Sequence, residues 1–229
     1  MKSDWAAELK KLCVMSSLNL RGNLMLVINQ LLSAFLQLGL VILLSLVWYF
    51  IRQHKIQGYF SWLGLKSSKS LPWKPMLGIF LAYFILAGLP YLWFYQTGSL
   101  QLSDFRAQVF HQLGWSWQTV LVILVWSVFQ TSLSEEIFFR GFLGKRLMAR
   151  LGFVKGNSLQ ALLFGSLHTL ALAKYNLLAA FLVFLLTAGV AYALGWLMAK
   201  KADGSIIYGW LIHALTNFFS SFLLLSLPF

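Results

Sequence analysis

Acidic residues are scarce in this chain, with six Asp and Glu against 18 Lys and Arg, and only 10% of its 229 residues are charged. A soluble domain carries roughly 25% charge, so water is not the main solvent of this one. Cysteine occurs once, at Cys13, which excludes an intrachain disulfide and any cysteine-based metal cluster. A convincing cleavable signal is also missing. Residues 1–22 mix Lys2, Asp4, Glu8, Lys10, Lys11 and Arg21 with brief apolar runs, a pattern that suits a short amphipathic helix on the membrane surface. No tandem repeat or low-complexity tract interrupts the chain.

Hydrophobicity fills the space that charge leaves. The composition is 59% hydrophobic with a mean hydropathy of +0.75, and apolar stretches recur along the whole length. Stretches of about 20 residues are long enough to cross a hydrocarbon core as helices. Read this way, spanning helices are expected near residues 24–51, 75–97, 116–140, 157–174, 177–199 and 205–227. The expected fold is all-α, a polytopic transmembrane helical bundle forming one domain over residues 1–229. Asn29, Gln30 and Gln37 inside the long first segment suggest that it is tilted or bent.

A net charge of +12 in a soluble protein would suggest a nucleic-acid partner. Here most basic residues lie between apolar runs, where the positive-inside rule and anionic headgroups account for them, so the expected partner is the lipid bilayer and not nucleic acid. Segment 52–74 holds Arg52, Lys55, Lys66, Lys69 and Lys74. Segment 141–156 holds Lys145, Arg146, Arg150 and Lys155, and 200–204 holds Lys200 and Lys201. These three connections are expected in the cytoplasm, whereas the alternate ones carry only Arg106 and Lys174. The first helix conflicts with the scheme, because one crossing would place Lys2, Lys10, Lys11 and Arg21 outside. Either that run does not cross fully, or the larger downstream bias overrides the rule. Trp48, Tyr49, Trp73, Tyr91, Trp93, Tyr95, Trp115 and Trp117 fall near helix ends as interfacial anchors. Thr187, Ala191, Gly195 and Ala199 form a small-residue stripe suited to close helix packing.

Ionisable groups inside spans cost about 2.5–3.5 kcal/mol near the bilayer centre and need a partner or a function. Glu135, Glu136 and Arg140 fall in the third segment, His168 in the fourth, and His213 with Asn217 in the sixth. At about 1.5 Å per residue, Glu135, His168 and His213 all come out roughly 15–20 Å from cytoplasmic charges, so three helices present polar groups at one level. Glu136 and Arg140, four apart, read as a structural ion pair. Glu135 points about 100° away and is the better candidate for a working carboxylate. His213 and Asn217 share a face, as do Phe164 and His168, whose rings are expected to pack together. A carboxylate beside a histidine can activate water for attack on a carbonyl, while His213 and Asn217 can stabilise the oxyanion. Neither His-Glu-x-x-His nor a serine or cysteine nucleophile motif is present.

Glu135-Glu136-x-x-x-Arg140, Phe164-x-x-x-His168 and His213-x-x-x-Asn217, in that order on successive membrane helices, resemble the CAAX prenyl protease type II family, also called the CPBP or Abi family of intramembrane proteases. The resemblance covers roughly residues 75–227, and Phe138, Phe139, Gly141 and Phe142 extend the first motif. It implies a helical bundle whose cavity opens toward the cytoplasm, with Glu135 and His168 activating water and His213 with Asn217 forming an oxyanion hole. Glu136, Arg140 and Phe164 would support that site. It implies a peptide or protein substrate, prenylated or not, and neither cofactor nor metal. The short loops and small size suggest a prokaryotic plasma membrane. Three other readings use the same residues: a non-catalytic binding or bacteriocin-immunity protein, a proton-coupled transporter, and a zinc enzyme ligated by Glu135, His168 and His213.

Overall fold

A computed structural model of the protein describes residues 2–97, 110, 113–170 and 177–226, and for 2–23, 87–95, 224 and 226 it describes the helical backbone alone. All regular structure among these residues is helical. We number the helices α1 (Lys2–Gln53), α2 (Tyr59–Leu63), α3 (Trp73–Gln96), α4 (Trp117–Leu151), α5 (Phe153–Leu170), α6 (Leu177–Lys201) and α7 (Ile207–Ser226). Each expected spanning segment coincides with one of them. Among the described residues, Leu24–Gln53, Trp117–Leu151 and Leu177–Lys201 are long and apolar enough to cross a membrane, and Trp73–Leu86 is a shorter apolar helix. The protein is an all-α membrane bundle.

α1 shows why a membrane helix can carry amides. Its leucines and phenylalanine at positions such as Leu32, Phe35 and Leu36 are exposed, as a lipid-facing surface should be. Gln37 Nε2 instead donates to the Gln130 carbonyl at 2.8 Å and to Ser134 Oγ at 2.9 Å. Gln30 bonds the Gln130 side chain, whose Nε2 donates to Ser33 Oγ at 2.9 Å. These amides therefore join α1 to α4, as interhelical polar contacts in lipid do. The segment 1–22 differs from expectation in having no break after it: helix α1 runs on from Lys2 into the first apolar run.

Two connections between the expected spanning segments contain helix. α4 continues to Leu151, because Lys145-Arg-Leu-Met-Ala-Arg-Leu151 consists of good helix formers and only Gly152, at φ +77°, turns the chain into α5. In segment 52–74, α2 begins and ends at left-handed Gly58 and Gly64, conformations that favour glycine. Its Tyr59 and Leu63 are buried, and Gly64 accepts a hydrogen bond from Ile206 N at 2.9 Å. Arg146 stacks 3.2 Å from the Trp62 ring centre and Lys145 Nζ donates to the Trp62 carbonyl at 3.3 Å, so the basic residues fasten α2 beneath the bundle.

α5 and α6 form the most extensive interhelical contact. Thr187, Ala191 and Gly195 are buried there, but Ala199 is exposed, so the small-residue stripe ends one turn early. Gly195 has no room for a Cβ because Asn157 occupies that space. Asn157 Nδ2 donates to the Tyr192 carbonyl at 2.9 Å and Gln160 Nε2 to the Ala191 carbonyl at 3.0 Å. Trp48, Trp73, Trp115 and Trp117 are exposed, as anchors should be, but Tyr49 is buried and its hydroxyl donates to the Gln57 carbonyl. Arg106, Lys174 and the side chains of Cys13, Tyr91, Trp93 and Tyr95 lie outside the described residues.

Candidate active site

The middle of α4 departs from α-helical winding. Residues Trp126–Leu133 and Glu136–Gly144 form π-helical segments on either side of Ser134 and Glu135. Hydroxyl groups compete with the backbone there: Thr131 Oγ1 donates to the Trp126 carbonyl at 2.9 Å, and Ser134 Oγ donates to the Gln130 carbonyl. Trp210 Nε1 on α7 donates to the Val128 carbonyl at 2.7 Å and ties the wider turn to its neighbour. Wide turns of this kind occur frequently at functional sites. Here they let two consecutive glutamates both reach the bundle interior.

The six polar residues marked by the motifs converge. Glu135 Oε2 lies 3.9 Å from His168 Nε2 and 3.7 Å from His213 Nε2. Glu136 Oε1 lies 3.2 Å from His213 Nδ1 and 3.1 Å from Arg140 Nη1. Asn217 Nδ2 donates to Thr131 Oγ1 at 3.0 Å and to Ser132 Oγ at 3.3 Å. Exposure separates the two acids: the Glu135 side chain is 20% accessible and that of His168 35%, against 1% for both Glu136 and Arg140.

Phe164 stands at the centre of the aromatic packing. Its ring centre is 4.3 Å from that of His168, 6.1 Å from His213 and 5.0 Å from Phe139. The Arg140 guanidinium carbon lies 4.4 Å from the Phe164 ring centre, a cation–π contact in a desolvated setting. The Arg140–Glu136 contact is an ion pair by distance, yet its alignment is poor and the guanidinium nitrogens make no well-formed hydrogen bond. The expected pairing is therefore present, with the ring of Phe164 as Arg140's second partner.

Hydrogen-bond direction assigns the imidazole tautomers. His168 Nδ1 is 2.9 Å from the Phe164 carbonyl, which can only accept, so Nδ1 carries hydrogen and neutral His168 presents the Nε2 lone pair toward Glu135. His213 Nδ1 faces the Glu136 carboxylate and likewise donates, leaving its Nε2 toward Glu135. Thr131 gives its own hydrogen to the Trp126 carbonyl and so accepts from Asn217, which places the amide nitrogen of Asn217 inward.

A cavity of about 460 Å³ is lined by Glu135, His168, His213 and Asn217 together with Thr131 and Tyr83. Glu135 Oε2 is buried and has no hydrogen-bond partner. Sequence reading missed Thr131, Ser132 and Tyr83. Thr131 lies four residues before Glu135, a signal that could have found it, whereas Tyr83 on α3 has no motif to mark it. Among the described residues no group of three or more His, Cys, Asp or Glu has an arrangement that could hold a metal ion.

Residues 116–219 match the family of Rce1-like type II CAAX prenyl endopeptidases, the family the three motifs resemble. That segment contains every motif residue but neither α1 nor α3. No curated protein and no solved structure matches the chain.

Proposed function

We propose that this chain, an intramembrane CAAX-type endopeptidase by the family of its residues 116–219, cleaves its peptide with water activated by Glu135 and His168. The observation that carries this reading is Glu135 Oε2, buried without a partner between two imidazole Nε2 atoms at 3.9 and 3.7 Å. Those separations are too long for direct hydrogen bonds, and a water about 2.8 Å from both Glu135 Oε2 and His168 Nε2 fits between them. Such a water donates one hydrogen toward each acceptor and turns its oxygen to the scissile carbonyl carbon. Glu135 takes the proton as the new C–O bond forms.

The oxyanion then needs donors. Glu135, Glu136 and Arg140 sum to a formal charge of minus one, and one proton on His213 brings the enclosed group to neutrality, as a low-dielectric site favours. In that form His213 donates from Nδ1 to Glu136 and from Nε2 to the oxyanion. Asn217 supplies the second donor by exchanging its longer contact, that with Ser132, for the oxyanion. Collapse breaks the C–N bond, and Glu135 returns its proton to the leaving nitrogen.

The substrate class that suits this site is a peptide presented at the membrane, on the side where Lys145, Arg146, Lys200 and Lys201 cluster. By the positive-inside rule that side is the cytoplasm, and the short connections suit a prokaryotic plasma membrane. Cleavage of a fluorogenic peptide by the purified protein, lost in Glu135→Gln, tests the mechanism; unchanged turnover in that variant rules it out.

A further inference from the structure

Ser134 does not make the backbone hydrogen bond that an α-helix gives its residues. Its N–H passes over the Gln130 carbonyl, four residues back, and reaches the Phe129 carbonyl, five back, and the Thr131 carbonyl, three back. The carbonyl it passes over is met by side chains. Gln37 Nε2 on α1 donates to it at 2.8 Å, and the Ser134 hydroxyl donates to it as well. Gln37 Nε2 also donates to Ser134 Oγ at 2.9 Å, so amide, hydroxyl and carbonyl form a closed triangle one residue before Glu135. A backbone group displaced from the α-helical ladder inside a bilayer must be satisfied by a neighbouring helix or a hydroxyl, and here both serve.

One face of α1 carries this contact. Val27, Gln30, Ala34 and Gln37 recur at intervals of three and four residues; Val27 and Ala34 are buried, and both amides bond α4. The two glutamines do different things there. Gln30 bonds the side-chain oxygen of Gln130, whereas Gln37 bonds the backbone of α4 and the hydroxyl of Ser134. Gln130 Nε2 donates to Gln37 Oε1 at 3.4 Å, which fixes the Gln37 amide with its nitrogen toward the carbonyl. An apolar side chain would sit in lipid at least as well, so an amide buried at position 37 needs a reason. The winding of α4 supplies one. Without the Gln37 donor, the Gln130 carbonyl has Ser134 N–H as its nearest replacement, and closing that bond turns the helix on one side of Ser134 by roughly 100° relative to the other. Glu135 and Glu136 follow immediately.

We propose that Gln37 is a positioning residue for the hydrolytic site: α1, outside the family segment 116–219, holds the wide turn of α4 open through the Gln130 carbonyl and Ser134, and so keeps Glu135 between the two imidazoles. The proposal rests on the peptidase reading above and deepens it. Gln37 acts through α4 and not on substrate, since it does not line the catalytic cavity. α1 is in this way part of the catalytic machinery and more than a membrane anchor.

Comparing Gln37→Met with Gln30→Met in lipid nanodiscs tests the assignment, because methionine keeps the length of glutamine without its amide. Each variant removes an amide link between α1 and α4, so both are expected to lower the melting temperature by a similar few degrees. Gln37→Met alone is expected to lower kcat by roughly tenfold to a hundredfold with KM little changed, as a displacement of about 1 Å at a catalytic group does. It is also expected to speed amide hydrogen exchange across residues 129–140. Gln30→Met is expected to keep kcat within about twofold and to leave that exchange as in the parent. Equal losses of kcat in the two variants, unchanged kcat in Gln37→Met, or a fall in kcat without faster exchange at 129–140 overturns the proposal. If Gln37→Met does not fold, Gln37→Asn, which holds its amide one methylene short of the carbonyl, takes its place with the same pattern expected. Exchange measured in the Glu135→Gln background does not depend on turnover. Normal turnover by Glu135→Gln sinks the mechanism, whereas exchange that Gln37→Met leaves unaltered in that background sinks the positioning role.

Discussion

Glu136 orients His213: its Oε1 lies 3.2 Å from the imidazole Nδ1 while also meeting Arg140 Nη1 at 3.1 Å. One buried carboxylate thus balances a guanidinium and holds a ring in a defined tautomer, in the manner of a positioning residue. These two duties are separable. Glu136→Gln removes the carboxylate that the buried Arg140 meets at 3.1 Å and is expected to destabilise the protein by about 3–5 kcal/mol. In the double variant Glu136→Gln with Arg140→Met the buried guanidinium that lost its nearest carboxylate is gone too, so thermal stability in detergent should largely return. Turnover should not return, because His213 still lacks its carboxylate. Recovery of turnover together with stability would show that Glu136 serves the fold alone.

Glu135 presents the opposite case. Its Oε2 has no hydrogen-bond partner, so Glu135→Gln removes little that holds the helices together. The expected result is a melting temperature within a few degrees of the parent and a kcat lower by roughly 10²–10⁴, the usual contribution of a general base. His168→Ala should fall in the same range. Because both residues act on one water, the double variant should be hardly worse than either single one, since groups that act as a unit are not additive. Multiplicative losses would mean that they act in different steps.

Much of this arrangement was legible in the chain. Intramembrane charge is expensive enough that Glu135, His168 and His213 stood out on cost alone, and constant helical rise put them at one level. Four-residue spacing correctly paired Glu136 with Arg140 and Phe164 with His168. What spacing concealed was the winding of α4. With 3.6 residues per turn, Glu135 and Glu136 diverge by about 100°, and only the π-helical segments let both acids approach one imidazole. Tyr83 was concealed for a different reason: it reaches the cavity from α3, far away in sequence, and an isolated tyrosine near an apolar helix looks like packing. α2 was hidden because segment 52–74 is rich in lysine and serine, and its apolar Tyr59 and Leu63 are buried only by tertiary contact.

Thr131 gives a finer test of the oxyanion donors. It accepts from Asn217 Nδ2 at 3.0 Å. Thr131→Val keeps the shape, removes the acceptor and lets the amide rotate. We expect kcat to fall by roughly tenfold to a hundredfold with KM little changed, less than the roughly 10²–10³ expected for Asn217→Ala, which removes the donor itself. Thr131→Ser, which keeps the hydroxyl, should restore most of the rate. If serine does no better than valine, side-chain packing and not the hydrogen bond is what Thr131 contributes.

Metal content separates the water-activation reading from its zinc alternative. His168 and His213 each direct the second ring nitrogen to an oxygen, on a backbone carbonyl and a carboxylate respectively, which is also how metal-ligating histidines are held. Geometry of that kind orients an imidazole for either task. The proposed steps use protons alone, so protein dialysed against a strong chelator should keep its full turnover, and elemental analysis of the active preparation should find well under one zinc per chain. Stoichiometric zinc, with turnover lost on chelation and regained on adding zinc, would make Glu135, His168 and His213 ligands and remove the proposed roles of all three.

Packing between α4 and α5 should respond to substitutions that leave the chemistry alone. A Cβ on Gly156 would lie 2.5 Å from the Leu147 carbonyl carbon and equally close to the Met148 Cα, both of them backbone, so no side chain can move aside. Gly156→Ala must separate the end of α4 from the start of α5, and overpacking of that kind costs about 1–3 kcal/mol. The melting temperature should drop accordingly. Phe164 and His168 lie two and three turns further along α5, so the residual folded protein should retain its KM and most of its kcat at a temperature well below the new transition. A large loss of kcat with no change in melting temperature would mean instead that α5 transmits its position at Gly156 directly to His168.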